Sequence, residues 1–123
     1  ANPAHVPFYR QLYAATALWA HAWLLDPCHP DPRGYLHQRG VSDATISRYV
    51  LGVTLNDPES LVAYLRAECP EAFPFAEEAG LLVRDDNGRL RTHWNLCGRL
   101  VFPYIAGGEV ADLRTRRYGE GKG

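Results

Sequence analysis

Between residues 8 and 25 the apolar positions Phe8, Leu12, Ala15, Trp19 and Trp23 recur at spacings of three or four, which predicts an amphipathic helix closed by Asp26-Pro27. The Pro-rich link 27–32 cannot continue that helix. A short helix through Tyr35 and Leu36 follows and stops at Gly40. Ser42 then caps a third helix over 43–49, with Ile46 and Val50 on one face and Gly52 at its end. Asp57-Pro58-Glu59 predicts a fourth start, with Asp57 as N-cap, Pro58 at the first helical position and Glu59 placed well against the helix dipole. That helix runs to about Cys69, where Pro70 stops it. A helical turn over 75–79 ends at Gly80 in the left-handed conformation.

From Leu81 the period approaches two. Asn87-Gly88, between Leu81-Leu82-Val83 and the segment Leu90 to Trp94, predicts a hairpin, because both turn residues tolerate positive φ. A second hairpin pairs 100–105 with 110–115 through Ala106-Gly107-Gly108-Glu109. The chain therefore reads as α+β: N-terminal helices followed by a small antiparallel sheet built from two hairpins. It is read as one domain over 1–123: a leading helix and Pro-rich link (1–30), a helical region (31–80), the hairpins (81–117) and a truncated linker (118–123). Tyr118 is the sole apolar residue of the charged, Gly-rich tail 116–123, which reads as a cut into a longer protein.

Composition is that of a globular domain, 46% hydrophobic and 22% charged, and one modest core is expected at 123 residues. The longest apolar stretch, 14–25, is interrupted by Thr16 and His21 and is too short to cross a bilayer. No basic start precedes it as in a signal peptide, so the expectation is a cytoplasmic protein without membrane contact. Cys28, Cys69 and Cys97 are too few and too scattered for a disulfide framework or a CxxC zinc site. The net charge of −1 hides an asymmetry: five Arg or Lys against nine Asp or Glu over 1–83, but eight against five over 84–123. Twelve of the thirteen basic residues are Arg, whose planar fork suits bidentate phosphate contact.

Catalytic chemistry finds little support in these residues. Asp85-Asp86 is the best pair of carboxylates for a metal-dependent reaction, but it directly precedes Asn87-Gly88, where Asp is favoured for turn hydrogen bonds. Cys28-His29 with His37 invites a zinc site, yet no fourth ligand is spaced nearby. Neither a GxSxG elbow nor a P-loop is present. No catalytic residue and no metal site are assigned.

One stretch is denser in signal: Tyr35-Leu36-His37-Gln38-Arg39-Gly40-Val41-Ser42-Asp43-Ala44-Thr45-Ile46, continuing through Arg48-Tyr49-Val50-Leu51-Gly52. It resembles the opening of the catalytic core of bacterial-type (DnaG-like) DNA primases, where Tyr-Leu-x-x-Arg-Gly precedes Ser, an acidic residue, a helix bearing Ile, and an aromatic residue shortly before Leu-Gly. Glu78-Ala79-Gly80-Leu81-Leu82 and Gly98-Arg99-Leu100-Val101-Phe102-Pro103 are similar to two further motifs of that family, in the same order.

The resemblance implies the N-terminal subdomain of a primase core, the part that precedes the TOPRIM domain. The parent would be a DNA-dependent RNA primase, a nucleotidyltransferase making RNA primers for DNA replication. In that family basic residues of this subdomain line a groove for single-stranded template DNA, RNA–DNA hybrid and nucleotides. By motif, the nucleic-acid-binding residues are Arg39, Arg99 and Arg116, with Arg117 as the alternative to Arg116 because the register there is open by one. No cofactor is expected in this piece; magnesium would sit in the TOPRIM domain, and any contact with a replicative helicase would come through other domains. The isolated piece is expected to be inactive. Leu96 and Cys97 replace residues that are usually Phe and Arg, which points to a divergent member, of plasmid, phage or mobile-element type. The alternatives are a primase-derived protein-interaction module that does not bind nucleic acid, and a small metal-dependent enzyme using Asp85, Asp86 and nearby histidines.

Overall fold

The computed structural model describes residues 3–118. A 3-10 turn, Pro3–His5, leads into α1 (Val6–Leu25), which buries two faces rather than the one its periodicity suggests. Leu12 and Trp19 face the larger core beside Phe8, Ala15 and Trp23, while Thr16, Ala17 and Leu24 are buried as well. The cause is its central position, since α1 packs on a helix as well as on a sheet.

The Pro-rich link gives its last two residues to α2 (Asp31–Gln38), because proline is tolerated in a first helical turn. At the other end Gly40 has φ +86°, the Gly40 N–H donates to the His37 carbonyl at 3.0 Å, and the Val41 N–H donates to the Leu36 carbonyl at 2.9 Å. This is the Schellman arrangement, and it makes Arg39 the C-cap. Ser42 starts α3 (Asp43–Arg48) as expected, its hydroxyl accepting the Thr45 N–H at 3.2 Å.

The stop of α3 departs from expectation. Val50, not Gly52, takes the left-handed position, with φ +54°, and the Leu51 N–H closes the motif on the Ile46 carbonyl at 3.0 Å. Gly52 is used elsewhere, in a short strand β1 (Gly52–Val53) that the sequence reading lacks. The fourth helix also starts later than expected. Asp57 accepts the Glu59 N–H at 2.9 Å in a turn ahead of α4 (Ser60–Glu68), while the Pro58 carbonyl accepts the Thr92 N–H at 2.7 Å and ties that turn to the first hairpin. A 3-10 turn, Phe73–Phe75, precedes Gly80, whose φ is +87°.

The two hairpins do not share a sheet. The first pairs β2 (Leu82–Arg84) with β3 (Leu90–Thr92) as an isolated ribbon, and its second strand ends two residues before Trp94. In its turn only Gly88 has positive φ; the Gly88 N–H donates to the Asp85 carbonyl at 2.9 Å, giving a three-residue loop rather than a two-residue Asn-Gly turn. The second pairs β4 (Leu100–Ala106) with β5 (Glu109–Arg116) through Gly107-Gly108, and β1 adds to the other edge of β4 in the order β1-β4-β5. Val101 on one face of this sheet joins the α1 and α4 core. Leu100, with Val53 of β1, joins Leu36 of α2 and Ile46 of α3 in a second core. The sheet thus lies between α1 and the α2–α3 pair, and the class is α+β.

Candidate nucleic-acid interface

The Schellman cap sets Arg39 at the exposed end of α2, where its guanidinium lies 4.8 Å from the centroid of Tyr35. Tyr35 is one helical turn earlier, the spacing at which helix side chains meet. Its ring packs edge-on against Tyr118, 5.9 Å between centroids. The sequence reading places Tyr118 in the linker 118–123; in the structure it is half-buried in the second core, and residues 119–123 lie outside the described residues. Arg116 ends β5 opposite Leu100, two residues before Tyr118, and Arg117 follows outside the strand. Tyr118 thus ties the end of β5, where Arg116 and Arg117 sit, to α2, which Arg39 caps.

Arg99 is placed differently. Its backbone is clamped to Thr54, whose N–H donates to the Arg99 carbonyl at 2.8 Å and whose hydroxyl accepts the Arg99 N–H at 2.9 Å. Its side chain lies over Trp94, 5.2 Å from the ring centroid. The first residue of β4 follows it, opposite Arg116, so Arg99 belongs to the same end of the sheet while its side chain points to another partner.

The electrostatics separate two sets of arginines. Arg10, Arg33, Arg84, Arg89, Arg91 and Arg114 each lie within 4.0 Å of a carboxylate. Arg39, Arg99, Arg116 and Arg117 form no ion pair among the described residues, and Arg39 and Arg99 rest on aromatic rings instead. Arg48 and Arg66 likewise lie over Tyr49 and Phe73 and form no ion pair among the described residues. A guanidinium on an aromatic face keeps its edge N–H groups free for phosphate oxygens. A cleft of about 270 Å³ runs between Tyr118 and Gly98, with Trp23, His29, Asp31 and Asn56 also in its wall.

Asp85 is committed to its turn. Its carboxylate accepts the N–H groups of Asn87 at 2.9 Å and Arg89 at 3.0 Å, and Nε of Arg91 at 3.1 Å. The Arg89 N–H above all, then the Arg91 guanidinium, hold this carboxyl below the usual Asp range. Among the described residues no three His, Cys, Asp or Glu side chains converge as a metal site would need, and no helix is long and apolar enough to cross a membrane.

Solved structures share this fold. The chain is similar to the DnaG primase catalytic domain bound to single-stranded DNA, with 24% identity and a TM-score of 0.83 over 98% of this chain and 38% of that one. The chain has the fold of one part of the DnaG primase core. The E. coli primase catalytic core gives 25% identity and a TM-score of 0.80, covering 93% of this chain and 36% of that one. The RNA polymerase domain of Mycobacterium tuberculosis DnaG, in complex with double-stranded DNA carrying a 6-nucleotide overhang, gives 24% and 0.80, covering 94% and 35%. The chain thus spans a little over a third of the length of these primase structures. No family model matches it, and no curated protein matches it in sequence.

Within the primase fold the first motif forms α2 with its cap, the second leads through Gly80 into β2, and the third opens β4. Sequence reasoning does not assign the aromatic partners Tyr35, Trp94 and Tyr118 to the site. Tyr35 carries a local signal, its spacing of four from Arg39. Tyr118 and Trp94 carry none, because their contacts depend on how the strands end.

Proposed function

We propose that this chain is the strand-guiding part of a DNA-dependent RNA primase, holding template DNA and the growing RNA–DNA hybrid beside a TOPRIM domain that lies outside it. The observation that supports the reading is the Tyr35–Tyr118 contact, which ties the end of β5, bearing Arg116 and Arg117, to α2, capped by Arg39; none of the three arginines has a carboxylate partner among the described residues. Such groups bind the backbone without reading a base. The primase fold supports it, as does the presence of DNA in two of the similar structures. On this reading magnesium and primer synthesis from nucleotides fall to the neighbouring domain and this chain by itself does not polymerise; Asp85, the best carboxylate candidate, is occupied by its turn.

The test is binding of a labelled single-stranded oligonucleotide over a range of salt. Weak binding that falls steeply as salt rises is the expected result, as phosphate contacts release counterions. Affinity that does not change with salt removes the reading. Absence of binding at low salt moves these arginines to the primase-derived interaction module.

A further inference from the structure

Trp19 is buried, and Trp23 packs against both cores. Trp94 is 67% exposed. Its neighbours impose this. Thr92 and Leu96 on either side are buried, the His93 carbonyl accepts the Leu96 N–H at 2.8 Å, and His93 Nδ1 accepts the Asn95 N–H at 3.3 Å. The 3-10 turn Trp94–Leu96 therefore holds the indole out in water on a fixed base. The His93 ring sits beside it, 5.5 Å between centroids, and the Arg99 guanidinium lies over it at 5.2 Å without an ion pair among the described residues. Gly98, one residue before Arg99, and Tyr118 both line the cleft. Arg99 directly precedes Leu100, the strand partner of Arg116, so the indole and Arg116 lie at the same end of the sheet.

An unpaired base stacks on an aromatic face whatever its identity, and a cation beside the ring takes the adjoining phosphate. Trp94 and Arg99 present both groups. We infer that Trp94, with Arg99 beside it, is a stacking platform for an unpaired base of a single strand that also contacts Arg116. This inference rests on the strand-guiding reading and adds a base contact to its phosphate contacts.

The experiment compares a labelled dT oligomer with an oligomer of equal length carrying abasic positions, bound to the native chain, Trp94→Ala, Trp94→Phe and Arg39→Ala with Arg116→Ala. Trp94→Ala should weaken dT binding roughly fivefold or more and leave the abasic strand unchanged, while Trp94→Phe keeps most of the affinity. Indole fluorescence of the native chain should be quenched by dT, and that quenching should vanish in Trp94→Phe. Unchanged dT affinity in Trp94→Ala, with binding still weakened by the arginine changes, overturns the platform and leaves strand guiding intact; it would make Trp94 a protein-contact residue. No salt-dependent binding by the native chain overturns both.

Discussion

Gly52 of β1 lies so close to α1 that a β-carbon on it would come within 2.6 Å of the carbonyl carbon and the β-carbon of Ala20. The sheet and its central helix touch through backbone at this point. Gly52→Ala must push β1 away from α1 and disturb its pairing with Val101. The expected cost is about 1–3 kcal/mol or more, read as a lowered urea midpoint, because a packed interior does not give way for an added methyl.

Val50 holds the left-handed position that ends α3, a conformation costly for a β-branched residue. Val50→Gly should raise stability by about 1 kcal/mol, seen as a higher melting temperature, provided that α3 and the Leu51 N–H bond to Ile46 persist.

Thr54 is buried and uses its hydroxyl to accept the Arg99 N–H. Thr54→Val keeps the shape and removes the acceptor. An unsatisfied buried N–H costs about 1–3 kcal/mol, so the variant should unfold earlier and the Arg99 amide should exchange faster with solvent.

Arg39 and Arg116 form no ion pair among the described residues, so replacing both with Ala should leave stability within about 0.5 kcal/mol of the native value. Binding of single strands should weaken equally for all base compositions. The slope of log affinity against log salt should fall by about 0.7 for each phosphate that is no longer neutralised.

Asp85 gives a pH dependence of defined sign. Its folded pKa is depressed below the unfolded value, so its stabilisation is full above the ordinary Asp range near pH ~4 and is lost as pH falls through the folded value. Glu78, held low by Tyr9 and then His5, and Asp43, held low by His37, act in the same direction. Asp85→Ala should therefore be less stable at about pH 7 and lose less than the native chain between about pH 7 and about pH 3, measured by urea midpoints.

Local chemistry made much of the architecture legible. Ser42 caps α3, Gly40 ends α2, Gly80 turns into the first hairpin and Gly107-Gly108 turns the second, each decided by the conformational reach of one or two residues. Arg39 was legible as the cap of α2, since a glycine follows it, while its candidacy for the site came from the family motif. Short-range pattern and turn chemistry were therefore enough for most of the helices, for both hairpins and for the α+β class, whereas Arg39, Arg99 and Arg116 were singled out by the family motif.

The remaining features depend on packing between segments far apart in sequence. A strand of two residues such as β1 has no periodicity to detect and exists through its pairing with Leu100 and Val101. Its demand for a glycine against Ala20 is what displaced the helix stop onto Val50. The hairpins lie in two sheets, and β1 pairs with the edge of β4 that faces away from β5. Tyr118 reaches Tyr35 across 83 positions of chain, and that contact, not any spacing in the sequence, ties the end of β5 to α2.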